Sequence, residues 1–365
     1  MVADPQSQMR EDAPPQPARR FAVMLYCARS GSTFFAHRLA QSDPRVAMLP
    51  EFRLPVLLFW KGDEKVRSLD ADALLDVIRD DVQFSNLGIP EDQWPDLARR
   101  LAGRSTREIL ESIVDVHLRL KGRAEAEEVV LKNASFAHNA EAVRAVFPEI
   151  RGVHVMRDPR GAASSMLRTP SPYDDGYPQA HGDIVHAARL WSGYVDLVAS
   201  LDWPVIEVRY ETLLEAPEAR AADVARWLLG GAAPAEDTSG NEATAPADAD
   251  AAEFEVGKAE LRIHSLISQD GLQERATAWD SELAPWQRLA VEAIAGERMT
   301  RLGYAFSSGG DAPPALSMRA RLTSLKNQTR HYGRSAGRLL WWAATDPRTA
   351  RIRLRQFIAR IRGRY

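Results

Sequence analysis

The stretch Phe21-Ala22-Val23-Met24-Leu25-Tyr26-Cys27-Ala28-Arg29-Ser30-Gly31-Ser32-Thr33-Phe34-Phe35 decides the fold. Residues 21–26 form an unbroken apolar run, as expected of a strand covered on both faces. A short turn with one glycine follows, and then a helical pattern. A strand–loop–helix of this kind points backbone N–H groups and hydroxyls at an anion beside a helix N-terminus.

A second stretch has the same grammar: Val155-Met156-Arg157-Asp158-Pro159-Arg160-Gly161-Ala162-Ala163-Ser164-Ser165-Met166. Arg157 ends a strand, and Pro159 opens the helix that carries Ser165. Apolar runs at 21–26, 45–49, 128–131, 152–156 and 205–208 read as five strands separated by helical patterns. That alternation predicts a parallel, doubly wound α/β sheet. One helix is explicitly marked: Ser105-Thr106-Arg107-Glu108 is a capping box, Ile109, Ile113, Val116 and Leu120 recur on one face, and Gly122 ends it.

Composition narrows the class. Hydrophobic residues make up 45% of the 365 and charged residues 27%, as in ordinary globular proteins. The net charge of −3 conceals a split, because residues 311–365 carry 13 Lys/Arg against two Asp. An interacting tail follows from that asymmetry, rather than a basic protein as a whole. Cys27 is the sole cysteine, which rules out an intrachain disulfide or a cysteine metal cluster. Residues 1–19 are Pro/Gln-rich and read as disordered, without a charged-then-apolar signal pattern. No apolar run reaches 18 residues, so no transmembrane helix is expected. The expected location is the cytoplasm. Residues 230–252 contain no aromatic and no basic residue and read as a flexible insertion loop.

The loop at 29–33 resembles a P-loop with one difference. A Walker loop places Lys before its Ser/Thr for the β/γ-phosphates and magnesium, and this loop has none. Metal-bridged triphosphate chemistry thus loses its usual equipment. Together the segments resemble the sulfotransferases that use 3′-phosphoadenosine 5′-phosphosulfate (PAPS), in particular the bacterial and tyrosylprotein-sulfotransferase-like branches. Arg-Ser-Gly-Ser-Thr at 29–33 is similar to their 5′-phosphosulfate loop, and Arg157 with Ser165 to their 3′-phosphate site. Lys132 matches a Lys common in those branches. Val208-Arg209-Tyr210-Glu211-Thr212-Leu213-Leu214 is similar to their Arg-Tyr-Glu-Asp-Leu segment, with Thr212 replacing Asp. Trp279 and then Leu302-Gly303-Tyr304 are similar to their C-terminal end. The likeness runs from about residue 20 to 306.

The resemblance implies a P-loop-like three-layer α/β domain over 20–308, and the charge and pattern of 309–365 read as a basic amphipathic helical tail. The resemblance also implies a donor site of Arg29, Ser30, Gly31, Ser32, Thr33, Arg157, Ser165 and Tyr210, with PAPS as donor and no metal. Sulfuryl transfer needs positive charge around the sulfonate and a base for the acceptor hydroxyl. Arg29 takes the place of a transition-state arginine, and its planar fork suits a sulfonate oxygen. Lys132, at a strand's carboxyl end, would balance charge on the leaving phosphate. Glu51 is the candidate base and His138 its rival. The bland readings are a cap for Ser32, an Arg157–Asp158 pair, a Glu51–Arg53 pair and a snorkelling Lys132. Asp158 with Arg160 is expected to be a structural ion pair, and Trp191, Trp279 and Trp286 are expected in the core. Arg275 could reach the 3′-phosphate.

The implied acceptor is a hydroxyl of a carbohydrate, glycolipid or polysaccharide, with protein tyrosine as the alternative. An inactive donor-binding scaffold is the alternative of another class. In the tail, Leu354, Phe357, Ile358, Ile361 and Tyr365 share a helical face flanked by arginines, downstream of Leu339-Leu340-Trp341-Trp342. That pattern suits an anionic membrane surface and a lipid-linked acceptor. Packing on the acidic domain is the other option, and nucleic acid is not expected for lack of an accompanying motif.

Overall fold

A computed structural model describes residues 19–170, 178–233, 274–345 and Leu354. Most of the expected insertion loop, the 171–177 segment and nearly all of the 350–365 amphipathic pattern lie outside those residues. So does the N-terminal segment up to residue 18.

Five strands form one sheet: β1 (Arg20–Tyr26), β2 (Val46–Met48), β3 (Glu128–Lys132), β4 (Arg151–Met156) and β5 (Val205–Arg209). Their order is β2-β3-β1-β4-β5, and every pairing is parallel. The apolar runs therefore mark all five strands, with ends shifted by a residue or two. β2 is shorter than its run because Leu49, although buried, leaves the ladder with a single N–H bond to Val130 O.

β1 shows why a continuous apolar run is required. Phe21, Val23 and Leu25 enter one hydrophobic core and Ala22, Met24 and Tyr26 another. Helices close both faces, giving three layers. The larger core receives Trp191, Phe136 and Phe147, and the smaller one packs under the helices Ser32–Ser42 and Pro217–Leu228.

The chain leaves β1 for β2 and β3 on one side and then crosses to β4 and β5 on the other. In open α/β sheets the crevice at such a reversal, outside the carboxyl ends of the strands, is where ligands bind. Tyr26, Lys132, Met156 and Arg209 end the four strands around it.

The helix Thr106–Leu120 carries its capping box as expected: Ser105 N–H donates to Glu108 Oε2 at 2.8 Å, and Ser105 Oγ accepts from Glu108 N–H at 3.3 Å. Its buried face differs from the sequence reading. Leu110, Val114, His117 and Leu118 join Ile109 and Ile113, while Leu120 is exposed. His117 Nδ1 lies 2.8 Å from Leu87 O, which lets a polar ring turn inward and rotates the apolar stripe. The C-terminal helix Met318–Thr345 is long and docks at its start, where Ala320 and Ser324 are buried. No helix among the described residues is long and apolar enough to cross a membrane.

Candidate active site

The loop after β1 is shaped by backbone angles that few side chains accept. Arg29 has φ +68° and Gly31 φ +90°. Gly31 caps the helix Ser32–Ser42 without any side-chain hydrogen bond to its first turn. The helix's amino end is thus presented by backbone alone, as an anion requires. A Cβ at Gly31 would lie 2.2 Å from Tyr210 Cδ2. Glycine is needed there for two reasons, the left-handed backbone and the ring pressed against it.

Tyr210, just after β5, does two jobs. One face covers Gly31, and Arg157 Cζ stands 4.5 Å from its ring centroid. Burial pushes its phenol upward, so the hydroxyl keeps its proton. Arg157 follows β4 and is held from several sides. Its Nη2 donates to Arg275 O at 2.7 Å, and its own carbonyl accepts from Trp191 Nε1 at 2.9 Å. A Cβ at Gly161 would meet Arg157 Nε at 2.8 Å, so that glycine opens the slot for the guanidinium.

Arg29 joins this group by donating from Nε to Ser165 Oγ at 3.0 Å. Burial, with the charges of Arg157, Arg168 and Arg275 added, pulls its pKa down to about 10. A fold does not ordinarily gather this much like charge. Buried Ser30 Oγ and Arg157 Nε have no hydrogen-bond partner among the described residues. Unmet donors beside crowded guanidinium groups are what an absent polyanion would satisfy.

The second half of the site lies beside β3. Lys132 is 1% exposed, and its Nζ sits 3.1 Å from Glu51 Oε2. Asn86 Nδ2 donates to the Glu51 carbonyl at 2.9 Å, which fixes the backbone of that residue. Glu51, considered from sequence as a partner of Arg53, has Lys132 as an ion-pair partner. His138 lies in a 3-10 turn with its ring 5.8 Å from that of Tyr194, and partial desolvation lowers its pKa.

Three residues beyond Arg157 the chemistry is opposite. Arg160 donates to Asp158 at 3.0 and 2.7 Å and to Glu292 at 2.8 Å, and its Cζ lies 3.8 Å from the Trp279 ring centroid. The expected Asp158–Arg160 pair is present and enlarged by Glu292, 132 residues away. Trp191 is buried in the core, while Trp279 and Trp286 are half-buried at its edge. Arg275 reaches the site through its carbonyl and its charge.

Glu211, Gly161, Arg168 and Trp191's bond to Arg157 were not singled out as site features in the sequence. Glu211 accepts from Asp158 N–H at 2.8 Å and from Tyr304 Oη at 3.3 Å, tying β5 and the Leu302-Gly303-Tyr304 segment to the turn after β4. Burial raises its pKa. A glycine following Arg-Asp-Pro-Arg was the one available signal for the Arg157 slot. Among the described residues no group of three or more His, Cys, Asp or Glu could hold a metal ion.

Residues 23–230 match the model of the sulfotransferase family. The chain belongs to that family. It is similar to the sulfotransferase domain of the curacin biosynthetic pathway at 17% identity and a TM-score of 0.48, covering 80% of this chain and all of that one. The sulfotransferase domain of the Synechococcus PCC 7002 olefin synthase gives 18% and 0.47, covering 78% of this chain and 96% of that one. A Mycobacterium avium sulfotransferase gives 17% and 0.38, covering 78% and 77%. No curated protein matches. The chain is a sulfuryl-transferring enzyme of this family.

Proposed function

We propose that the enzyme transfers the sulfuryl group of PAPS to a hydroxyl of a carbohydrate, glycolipid or polysaccharide. The observation that supports this reading is the group of four arginines, Arg29, Arg157, Arg168 and Arg275, beside a glycine-capped helix N-terminus. In that group Arg168 forms an ion pair with Glu282, whose charge also acts on Arg275, and Glu211 acts on Arg157 through its charge.

The amide groups of Ser30 to Thr33, with the Ser32 and Thr33 hydroxyls, take the 5′-phosphosulfate, and Arg157 with Ser165 takes the 3′-phosphate. Arg29 faces the sulfonate. Glu51 accepts the acceptor's hydroxyl proton, and Lys132 meets the charge left on the phosphate oxygen. Tyr210 stacks beside the donor. The partner surface is an anionic membrane, at its cytoplasmic face, engaged by the basic C-terminal region. On the Met318–Thr345 helix, Met318, Leu322, Leu325, Tyr332 and Leu340 are all exposed and recur on one side. The same helix holds six Lys/Arg and no acidic residue.

Calorimetry tests the donor. PAPS is expected to bind without magnesium and far more tightly than ATP, and equal affinity for adenosine 5′-phosphosulfate would remove the 3′-phosphate site. Labelled PAPS with glycolipid and polysaccharide fractions then identifies the acceptor. In the same assay Glu51→Gln should lower turnover by about 10²–10⁴ with donor affinity kept. If His138→Ala abolishes turnover instead, the base is His138.

A further inference from the structure

Tyr26 closes β1 immediately before the phosphate loop and is 6% exposed. Its hydroxyl donates to Glu51 Oε2 at 2.9 Å, the same oxygen that Lys132 Nζ approaches at 3.1 Å. Lys132 Nζ in turn stands 5.2 Å from the centroid of the Tyr26 ring. The backbone of Tyr26 is fixed as well, its N–H donating to Tyr194 Oη at 2.9 Å. Tyr194 is buried in the helix Ile184–Ala199, and burial pushes its phenol strongly upward, so it serves as a neutral anchor.

This arrangement answers a conflict inside the proposed chemistry. Lys132 has two claims on it, the Glu51 carboxylate and the phosphate oxygen that leaves with charge. A lysine held by Glu51 is shared between two anions, and a half-buried Glu51 carboxylate that Lys132 leaves loses one of its partners. The phenol supplies a second donor on the same oxygen. We propose that Tyr26 is a positioning residue that holds the Glu51 carboxylate in place while Lys132 turns to the donor. The proposal rests on Glu51 as base.

In the step itself the acceptor oxygen bonds to sulfur and its proton passes to Glu51. The bond from sulfur to the bridging phosphate oxygen breaks, and its electron pair stays on that oxygen, where Lys132 meets the charge. Tyr26 keeps its proton throughout. The charged and titratable groups around Glu51 include Tyr26 from β1, Lys132 from β3 and, along its own segment, Arg53. The Arg53 N–H donates to buried Asp81 at 2.7 Å.

Tyr26→Phe in the full chain is the first test. Removal of one hydrogen bond to a charged group should lower kcat by about 10–100-fold, with donor affinity and melting temperature kept. The acid limb of the kcat profile should move to higher pH, because a carboxylate accepting fewer hydrogen bonds protonates more readily. A merely structural tyrosine would lower stability and leave that limb where it was. 3-Fluorotyrosine at position 26 preserves the packing and donates more strongly, so it should move the limb the other way. Carbon-13 NMR of the Glu51 carboxyl follows the same titration with no acceptor present. If Glu51 titrates alike in all three proteins, the proposal is overturned. If Glu51 shifts as expected while no acceptor is ever sulfated, the positioning contact stands and the catalytic reading falls.

Discussion

Arg157 and Arg160 sit three residues apart, are both buried, and belong to the same strand-to-helix turn. Arg160 is neutralised by two carboxylates, Asp158 and Glu292, and is covered by Trp279. Arg157 meets a backbone carbonyl, an aromatic face and other arginines. The fold has completed one guanidinium and left the other incomplete. Desolvating a cation that no carboxylate pairs directly is expensive, and Glu211 acts on Arg157 through its charge. On the proposed reading, the partners of a buried arginine distinguish a structural role from a binding one more sharply than burial does.

The largest effect that could break this comparison is at the completed site. Arg160→Ala leaves Asp158 and Glu292 buried without their cation, and loss of one partner of such a pair costs about 3–5 kcal/mol of stability. Urea titration should show that loss, and a change below about 1 kcal/mol would make Arg160 dispensable to the fold. Arg157→Gln should do the reverse. Calorimetry should find donor affinity lowered by about 10–100-fold, with the urea midpoint hardly moved. A smaller effect sharpens the contrast. Ser165→Asp sets a carboxylate where Ser165 Oγ now accepts from Arg29 at 3.0 Å. It should stabilise the empty protein by up to about 1 kcal/mol while weakening the donor, since both compete for one cation. Donor affinity unchanged in this variant would mean that Arg29 does not face the sulfonate.

The smallest effect per residue concerns the cations of the C-terminal helix. Each basic residue at an anionic bilayer is worth about 1 kcal/mol. Full-length protein should co-sediment with phosphatidylserine vesicles at low salt, and Leu325→Ser with Leu340→Ser should weaken that binding. Equal sedimentation of both proteins, or of neither, would exclude this helix as the membrane contact.

The apolar runs disclosed the five strands of the sheet, because a central parallel strand must be apolar on both faces and leaves a continuous signature. They could not disclose the order β2-β3-β1-β4-β5, which depends on which strands meet after long crossovers. Arg157, Ser165 and Tyr210 stood out as motifs, yet Ser165 is found on Arg29, a contact between a helix and a loop 136 residues apart. Glu292 carries no local mark, because its meaning comes from a partner 132 residues upstream. Tyr26 was hidden by its own strand. In an apolar run a tyrosine reads as filling, and only the arrival of Glu51 beside its hydroxyl gives it polar work.

Cys27 begins the turn that ends in Gly31: its carbonyl accepts from Ser30 N–H at 3.3 Å, and burial lifts its thiol to about 12. A thiol so protonated and so covered reacts with an alkylating reagent only when the turn around it opens. It is also the single sulfhydryl of the chain. The protein therefore carries its own clock for the motion of this loop, with no engineered label. The half-time of alkylation reports openings, and a nucleotide that clamps the turn should slow alkylation in proportion to its occupancy.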